Sequence, residues 1–132
     1  MSYLTEDIMI REFGANEVLQ LTDRDRDGRM EDEILEGAFA FADDMINDYL
    51  RSRYTVPIEP APGNLVGYAA DIARYRLYEG QPTEIVQIRY EAALQWLRDV
   101  AKGLSELAVV VESEPMALAY SEPEARFTRL VW

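Results

Sequence analysis

The sequence predicts an all-α protein, a bundle of four to five helices followed by an extended C-terminal arm. Long stretches repeat apolar residues at helical spacing, and stretches rich in proline or glycine separate them. The pattern of a strand is confined to one short run, residues 107–111, which allows a short strand within the arm. We therefore divide the 132 residues into a helical bundle domain, residues 1–103, and an extended C-terminal arm, residues 104–132.

Two short helices are predicted at the start of the chain. Thr5 precedes two acidic residues and an apolar run, which is the pattern of a capped helix start, and Gly14 ends that helix. Residues 16–22 add one or two helical turns before a loop rich in aspartate. The first long helix follows over residues 31–52, where apolar positions recur at helical spacing and form a broad buried face.

The second long helix is separated from the first by residues 53–63. This stretch holds three prolines in six residues, and because proline cannot extend a helix we expect an extended connector. Asn64 is the expected cap of a helix over residues 64–78, with Gly80 after it. Since that helix is apolar nearly all round, it fits the middle of the bundle.

The last long helix begins at Pro82–Glu84 and runs to about Lys102, with Gly103 as its C-terminal cap. One apolar stripe serves the core. A second, flanking stripe exceeds what one packing face needs, and it predicts deep burial or a partner surface. The residues of this flanking stripe are Ile85, Ile88, Ala92 and Trp96.

The composition limits the chemistry that the chain can perform. There is no cysteine and no histidine, which removes thiolate nucleophiles, the commonest general base and the commonest transition-metal ligand. No nucleophile elbow, P-loop or dinucleotide motif is present. We therefore expect a protein that is not an enzyme. The start of the chain lacks a signal peptide pattern and no apolar run spans a membrane, so we expect a soluble protein made in the cytosol.

The net charge is −12 and is unevenly distributed. Residues 1–52 carry a net charge of −9, whereas residues 53–103 are neutral and residues 104–132 carry −3. Such a surface repels nucleic acid, so ordinary DNA binding is not expected. Solubility is the simplest role for this charge. A more specific role is a surface past which DNA must slide without adhering.

The loop Asp23–Gly28 has the first half of a calcium-loop pattern, D-x-D-x-D-G. Asp23, Asp25 and Asp27 are the candidate metal ligands, and because no histidine or cysteine is present the ion would be a hard cation such as Ca²⁺. The late ligand would be Glu31 or Glu33. The twelfth position, which should hold a bidentate acid, is Ile34. The alternative is a polar turn that caps the next helix without a metal.

Two further groups invite a functional interpretation. Arg74 and Arg76 stand on an otherwise apolar helix and could contact an anion or DNA, but we expect an Asp71–Arg74 pair at helical spacing. Aromatic residues of the last helix and of the arm are the predicted interface anchors, because such side chains bury large areas. The interface candidates are Trp96, Phe127, Arg129 and Trp132.

Several segments, taken in order, resemble one family, the small head-morphogenesis proteins of Mu-like phages and prophages. These segments are Leu21–Gly28, Arg53–Ile58, Asp71–Tyr78, Arg89–Leu97 and Arg126–Arg129. The resemblance implies a head–tail connector, or adaptor, that forms a dodecameric ring below the portal protein. It implies the portal and tail-completion proteins as partners, a channel through which DNA passes without specific binding, and a place at the head–tail interface of the virion.

Two other functions remain open at this point. A calcium-binding regulatory or surface module would use the aspartate loop. A hydrolase is the third alternative, and the lack of histidine and cysteine disfavours it.

Overall fold

The computed structural model describes residues 2–107, whose regular elements are five α-helices. They are α1 (Glu6–Phe13), α2 (Ala15–Thr22), α3 (Asp32–Leu50), α4 (Gly63–Leu77) and α5 (Glu84–Lys102). No strand occurs within residues 2–107, so the predicted all-α bundle is confirmed there. The predicted strand and nearly all of the arm lie outside the described residues.

The ends of α1 and α5 follow the sequence signals. Thr5 Oγ1 accepts a hydrogen bond from the Ile8 N–H at 3.2 Å. The Thr83 side chain caps α5 in the same way, because each hydroxyl satisfies a backbone donor that the helix leaves free. At the other end of α5, Gly103 has a φ of 83°, a left-handed conformation that favours glycine.

The predicted cap of α4 was wrong. Asn64 is the second residue of the helix, and the capping position belongs to Pro62, which has an extended backbone. The Pro62 carbonyl accepts a hydrogen bond from the Val66 N–H at 3.1 Å, so the helix starts directly from the proline connector. At its end, α4 stops at Leu77, and Tyr78 is already extended, two residues before Gly80.

Helix α4 occupies the middle of the bundle, as its sequence predicts. It packs most extensively against α3 and α5, and α1 also contacts it. The positions facing these neighbours are largely alanine and aliphatic residues, which let the helices approach closely. Those buried on α4 are Leu65, Ala69, Ala70, Ile72, Ala73 and Leu77. Within residues 2–107 no helix is both long and apolar enough to cross a membrane.

Tyr3 fastens the N-terminal segment and the connector to α3. Its N–H donates to Asp43 Oδ1 at 3.0 Å, and its hydroxyl donates to Asn47 Oδ1 at 2.6 Å. The same hydroxyl accepts a hydrogen bond from the Ile58 N–H at 2.9 Å. Because Ile58 is buried, this bond satisfies a backbone donor that water cannot reach. The connector therefore has a defined place on the bundle.

Candidate functional site

The aspartate loop lies between α2 and α3 and gathers three carboxylates. One oxygen from each of Asp23, Asp25 and Asp27 lies within 4.8 Å of the others. Asp25 and Asp27 are exposed and Asp23 is half-buried. This spacing would allow one cation to contact all three side chains.

These carboxylates already accept hydrogen bonds from the loop backbone. The two oxygens of Asp23 accept from the N–H groups of Asp27 and Gly28, each at 2.9 Å. Asp25 Oδ1 accepts from the Asp27 N–H at 3.2 Å. Asp27 Oδ1 accepts from the Arg29 N–H at 2.9 Å. The loop is thus closed by its own side chains, and these bonds hold the three carboxylates close together.

Glu31, one of the two expected late ligands, also turns toward the loop backbone. Its Oε2 accepts from the N–H groups of Arg24 and Asp25 at 2.9 and 3.1 Å. Glu31 occupies the capping position of α3, yet no side chain caps that helix by a hydrogen bond. The prediction of a side-chain cap on α3 was therefore wrong, because the carboxylates bind N–H groups of the loop itself. The prediction of acids at the positive end of the helix is confirmed, since Asp32 and Glu33 lie in its first turn. Ile34, at the position of the missing ligand, packs against the core.

The backbone bonds also govern the protonation of the loop. Desolvation raises the pKa of Asp23, but the N–H groups of Gly28 and Asp27 outweigh it and place the pKa below its ordinary value. For Asp27, the Arg29 N–H lowers the pKa, while desolvation and the neighbouring carboxylates of Asp25 and Asp23 raise it, and the net pKa is raised. Asp23 therefore holds its negative charge more firmly than Asp27 does.

Arg24 joins the loop to the ends of two helices. Its Nε donates to the Leu21 carbonyl at 3.2 Å, and one terminal nitrogen donates to the Leu77 carbonyl at 3.0 Å. The other terminal nitrogen pairs with Glu79 at 3.1 Å. Since the last carbonyls of a helix have no partner within it and carry partial negative charge, the guanidinium stabilises the C-terminal ends of α2 and α4 together.

The expected Asp71–Arg74 pair was wrong. Arg74 instead binds Glu17 of α2 through two hydrogen bonds, Nε to Oε2 at 2.7 Å and a terminal nitrogen to Oε1 at 3.0 Å. Its guanidinium also lies 4.3 Å from the ring centre of Phe13. Asp71 pairs with Arg89 of α5, with Oδ1 and Nε 3.0 Å apart. The two side chains of α4 therefore serve different neighbouring helices.

Asp71 is the buried acid of the described core. Burial raises its pKa above the ordinary value, and Arg89 and Arg74 offset part of that effect. Although Arg89 lies close, its direction leaves Asp71 Oδ1 without a hydrogen bond of good geometry. Charge attraction to Arg89 therefore holds the carboxylate more than directed hydrogen bonds do. The strength of this contact depends on whether Asp71 is ionised.

Among residues 2–107, nothing fully covers the flanking stripe of α5. Ile85 and Ile88 are 55% and 51% exposed, and Ala92 is exposed beside them. Trp96 is half-buried and stacks on Tyr68, with ring centres 4.6 Å apart. We call Ile85, Ile88, Ala92 and Trp96 the α5 strip. The other predicted interface residues, Phe127, Arg129 and Trp132, lie outside the described residues.

Sequence reasoning did not single out three residues that tie the bundle together. These residues are Glu17, Tyr3 and Arg24, and each bonds to a residue more than fifty positions away in the chain. Helical periodicity gives no signal for contacts of that kind. For Glu17, the sequence indicates only an acidic residue on a short amphipathic helix. Its arginine partner could not be chosen without the fold.

Comparison with known proteins places the chain among phage proteins. The model of a family described as Bacteriophage Mu, Gp36 matches residues 3–122. The chain is 31% identical over 103 residues to Gene product J of Escherichia phage Mu, covering 74% of this chain and 73% of that protein. It is 30% identical over 97 residues to the Mu-like prophage FluMu protein gp36 of Haemophilus influenzae, covering 70% and 69% respectively.

Proposed function

The chain belongs to the bacteriophage Mu Gp36 family, and on that premise we propose that it is a structural head–tail connector, or adaptor, of a tailed phage or prophage. Copies of the chain would form a dodecameric ring below the portal protein and meet the tail-completion proteins on the other side. DNA would pass through the ring without sequence-specific contacts. The protein would be made in the host cytoplasm and act in the virion, without enzymatic activity.

The observation that carries this proposal is the α5 strip. Two large aliphatic side chains, Ile85 and Ile88, are more than half exposed on a helix whose other stripe already fills the core. Leaving such surface in water costs about 25 cal/mol per Å² of apolar area, so its burial by another subunit would be favourable. A subunit contact through this strip fits a protein that works as part of a ring.

The charge of the bundle supports the same proposal. Residues 1–52 carry a net charge of −9, and the exposed acids of the aspartate loop and of α3 contribute much of it. A negative wall repels the phosphate backbone and so lets DNA move past without adhering. A ring with this surface toward its channel would serve as a passage.

The genetic test is deletion of the gene from the phage or prophage. We expect DNA-filled or leaking heads without attached tails in electron micrographs of the lysate, because heads and tails assemble separately when the piece between them is missing. Complementation by the intact gene is the control. Normal infectious virions from the deletion would overturn the proposal.

A substitution tests the α5 strip within the assembled particle. Ile88→Lys places a charge on the strip, whereas Glu91→Lys places the same side chain on a neighbouring exposed position outside it. We expect the first variant to fold normally by circular dichroism yet fail to complement the deletion, and the second to complement it. Equal complementation by the two variants would show that the strip is not a subunit contact.

Calcium binding is the second candidate function, favoured by the convergence of Asp23, Asp25 and Asp27 within 4.8 Å. A carboxylate has about four lone-pair sites, so each could contact the ion while it still accepts the N–H groups of the loop. Titration calorimetry with Ca²⁺ distinguishes the candidates. Heat that Asp25→Ala abolishes would favour the calcium module, and no heat at millimolar Ca²⁺ would exclude it.

A further inference from the structure

A groove opens between the N-terminal segment and the proline connector. Its volume is about 490 Å³, which is within the range of ligand pockets in proteins. The buried side chains of Tyr3 and Ile58 form its base. Because prolines hold a fixed backbone angle, the connector presents this surface with little conformational freedom to lose on binding. The groove, which we call the Tyr3 groove, is lined by Ser2, Tyr3, Pro57, Ile58, Glu59, Pro60 and Ala61.

One carboxylate lines the Tyr3 groove, and two others line a cavity that shares Ser2 with it. Glu59 is exposed and is the charged residue of its lining. A second, shallower cavity of about 210 Å³ shares Ser2 with it and is lined in part by Glu36 and Asp43. The surface is therefore apolar at its base and acidic along its edge, a combination that suits a ligand with aromatic and cationic groups side by side.

The chain itself contains a segment of that chemistry. Residues 126–132, with the sequence RFTRLVW, hold two arginines, two aromatic residues and no acid, in a protein whose net charge is −12. Aromatic and arginine side chains are the types most enriched at the centres of protein interfaces. The charge of the segment is opposite to that of the groove edge.

The segment can reach the groove within one molecule. Phe127 follows Leu107, the last described residue, by 20 residues, a length of chain that can span up to about 65 Å. A domain of about 100 residues has a radius of gyration of about 13 Å, so any point of its surface lies within that span. A tethered segment is present at an effective concentration of about the millimolar range, which favours it over the same segment of another molecule in dilute solution.

We propose that residues 126–132 dock in the Tyr3 groove of their own chain. Aromatic side chains of the segment cover Tyr3 and Ile58, and its arginines face Glu59 on the groove edge. The α5 strip takes no part in this contact. The inference is independent of the adaptor role, since it concerns the isolated subunit and would hold equally for any other function.

Cysteine cross-linking tests the proposal cleanly, because the natural sequence has no cysteine. One variant carries Ala61→Cys in the groove and Thr128→Cys in the segment. The control variant carries Ala92→Cys on α5 with the same Thr128→Cys. In dilute protein under mild oxidation, we expect the first pair to close a disulfide within the monomer at least about tenfold faster than the control, because docking raises the local thiol concentration.

Charge reversal supplies the second arm of the experiment. Glu59→Lys in the Ala61/Thr128 pair should slow closure at least about fivefold, and Arg129→Glu added to it should restore the rate. Glu91→Lys, at an exposed position of α5 that lines neither cavity, should leave the rate unchanged. Equal closure rates for the two cysteine pairs would overturn the proposal. So would a disulfide formed mainly between two molecules, which would assign the groove to a second copy, or a rate insensitive to Glu59→Lys. Circular dichroism of each variant verifies that it is folded.

Discussion

Replacement of Arg74 by alanine should destabilise the bundle more than the loss of any surface ion pair. The side chain of Arg74 is 12% exposed and that of Glu17 is 27% exposed, so water screens the pair only in part. The variant would lose two charge-assisted hydrogen bonds and the contact with Phe13. It would also leave the Glu17 carboxylate without its cationic partner among packed side chains.

The magnitude follows from these losses. Hydrogen bonds to charged groups contribute about 1.5–3 kcal/mol, and a partly exposed cation–π contact contributes about 0.5–1 kcal/mol. Allowing for the exposure of Glu17, we expect the free energy of unfolding to fall by about 2–4 kcal/mol. For a domain near 100 residues this corresponds to a decrease in Tm of about 8 °C or more.

Urea denaturation followed by circular dichroism measures this change, with Arg51→Ala as the matched control. Arg51 pairs with Asp48 at 2.9 Å, but the two side chains are 59% and 73% exposed, so we expect a loss of at most about 0.5 kcal/mol. A double-mutant cycle with Glu17→Ala should give a coupling energy of about 1 kcal/mol or more. If Arg74→Ala lowers the free energy of unfolding no more than Arg51→Ala does, the paired hydrogen bonds between Arg74 and Glu17 do not stabilise the bundle, and the prediction is wrong.

Three further predictions concern other contacts. Arg24→Ala should lower the free energy of unfolding by about 1–2 kcal/mol, because two helix ends lose a cationic partner, while the exposed Arg29→Ala should change it by less than about 0.5 kcal/mol in the same urea experiment. Tyr3→Phe should cost about 1–3 kcal/mol in thermal unfolding, since the buried Ile58 N–H loses its acceptor. For Asp71, whose pKa burial raises and Arg89 partly lowers, the folded chain binds the proton more tightly than the unfolded chain. The contribution of Asp71 to the free energy of unfolding is therefore greatest at low pH, and it decreases as pH rises from the ordinary pKa through the raised one. Asp71→Asn should remove this pH dependence, which urea titrations at several pH values would measure.

The sequence alone determined the all-α class, the order of the helices and most of their ends. These features depend on local physics, because apolar spacing selects a helix, prolines exclude one, and Thr5, Thr83 and Gly103 satisfy or release backbone groups within one turn. The resemblance to proteins of Mu-like phages also came from ordered local segments, and the family match over residues 3–122 confirms it.

Only the tertiary structure decided which side chains meet. Asp71 and Arg74 are neighbours on one helix, yet each turns to a different helix, because the direction of a side chain around the helix axis decides its partner once the bundle is packed. In the aspartate loop, the spacing predicts a cation site, which stays a prediction, and the structure adds which N–H groups the oxygens of Asp23 accept. Spacing along the chain fixes which groups share one helix face or one loop, and the packing of distant segments fixes which groups bind one another.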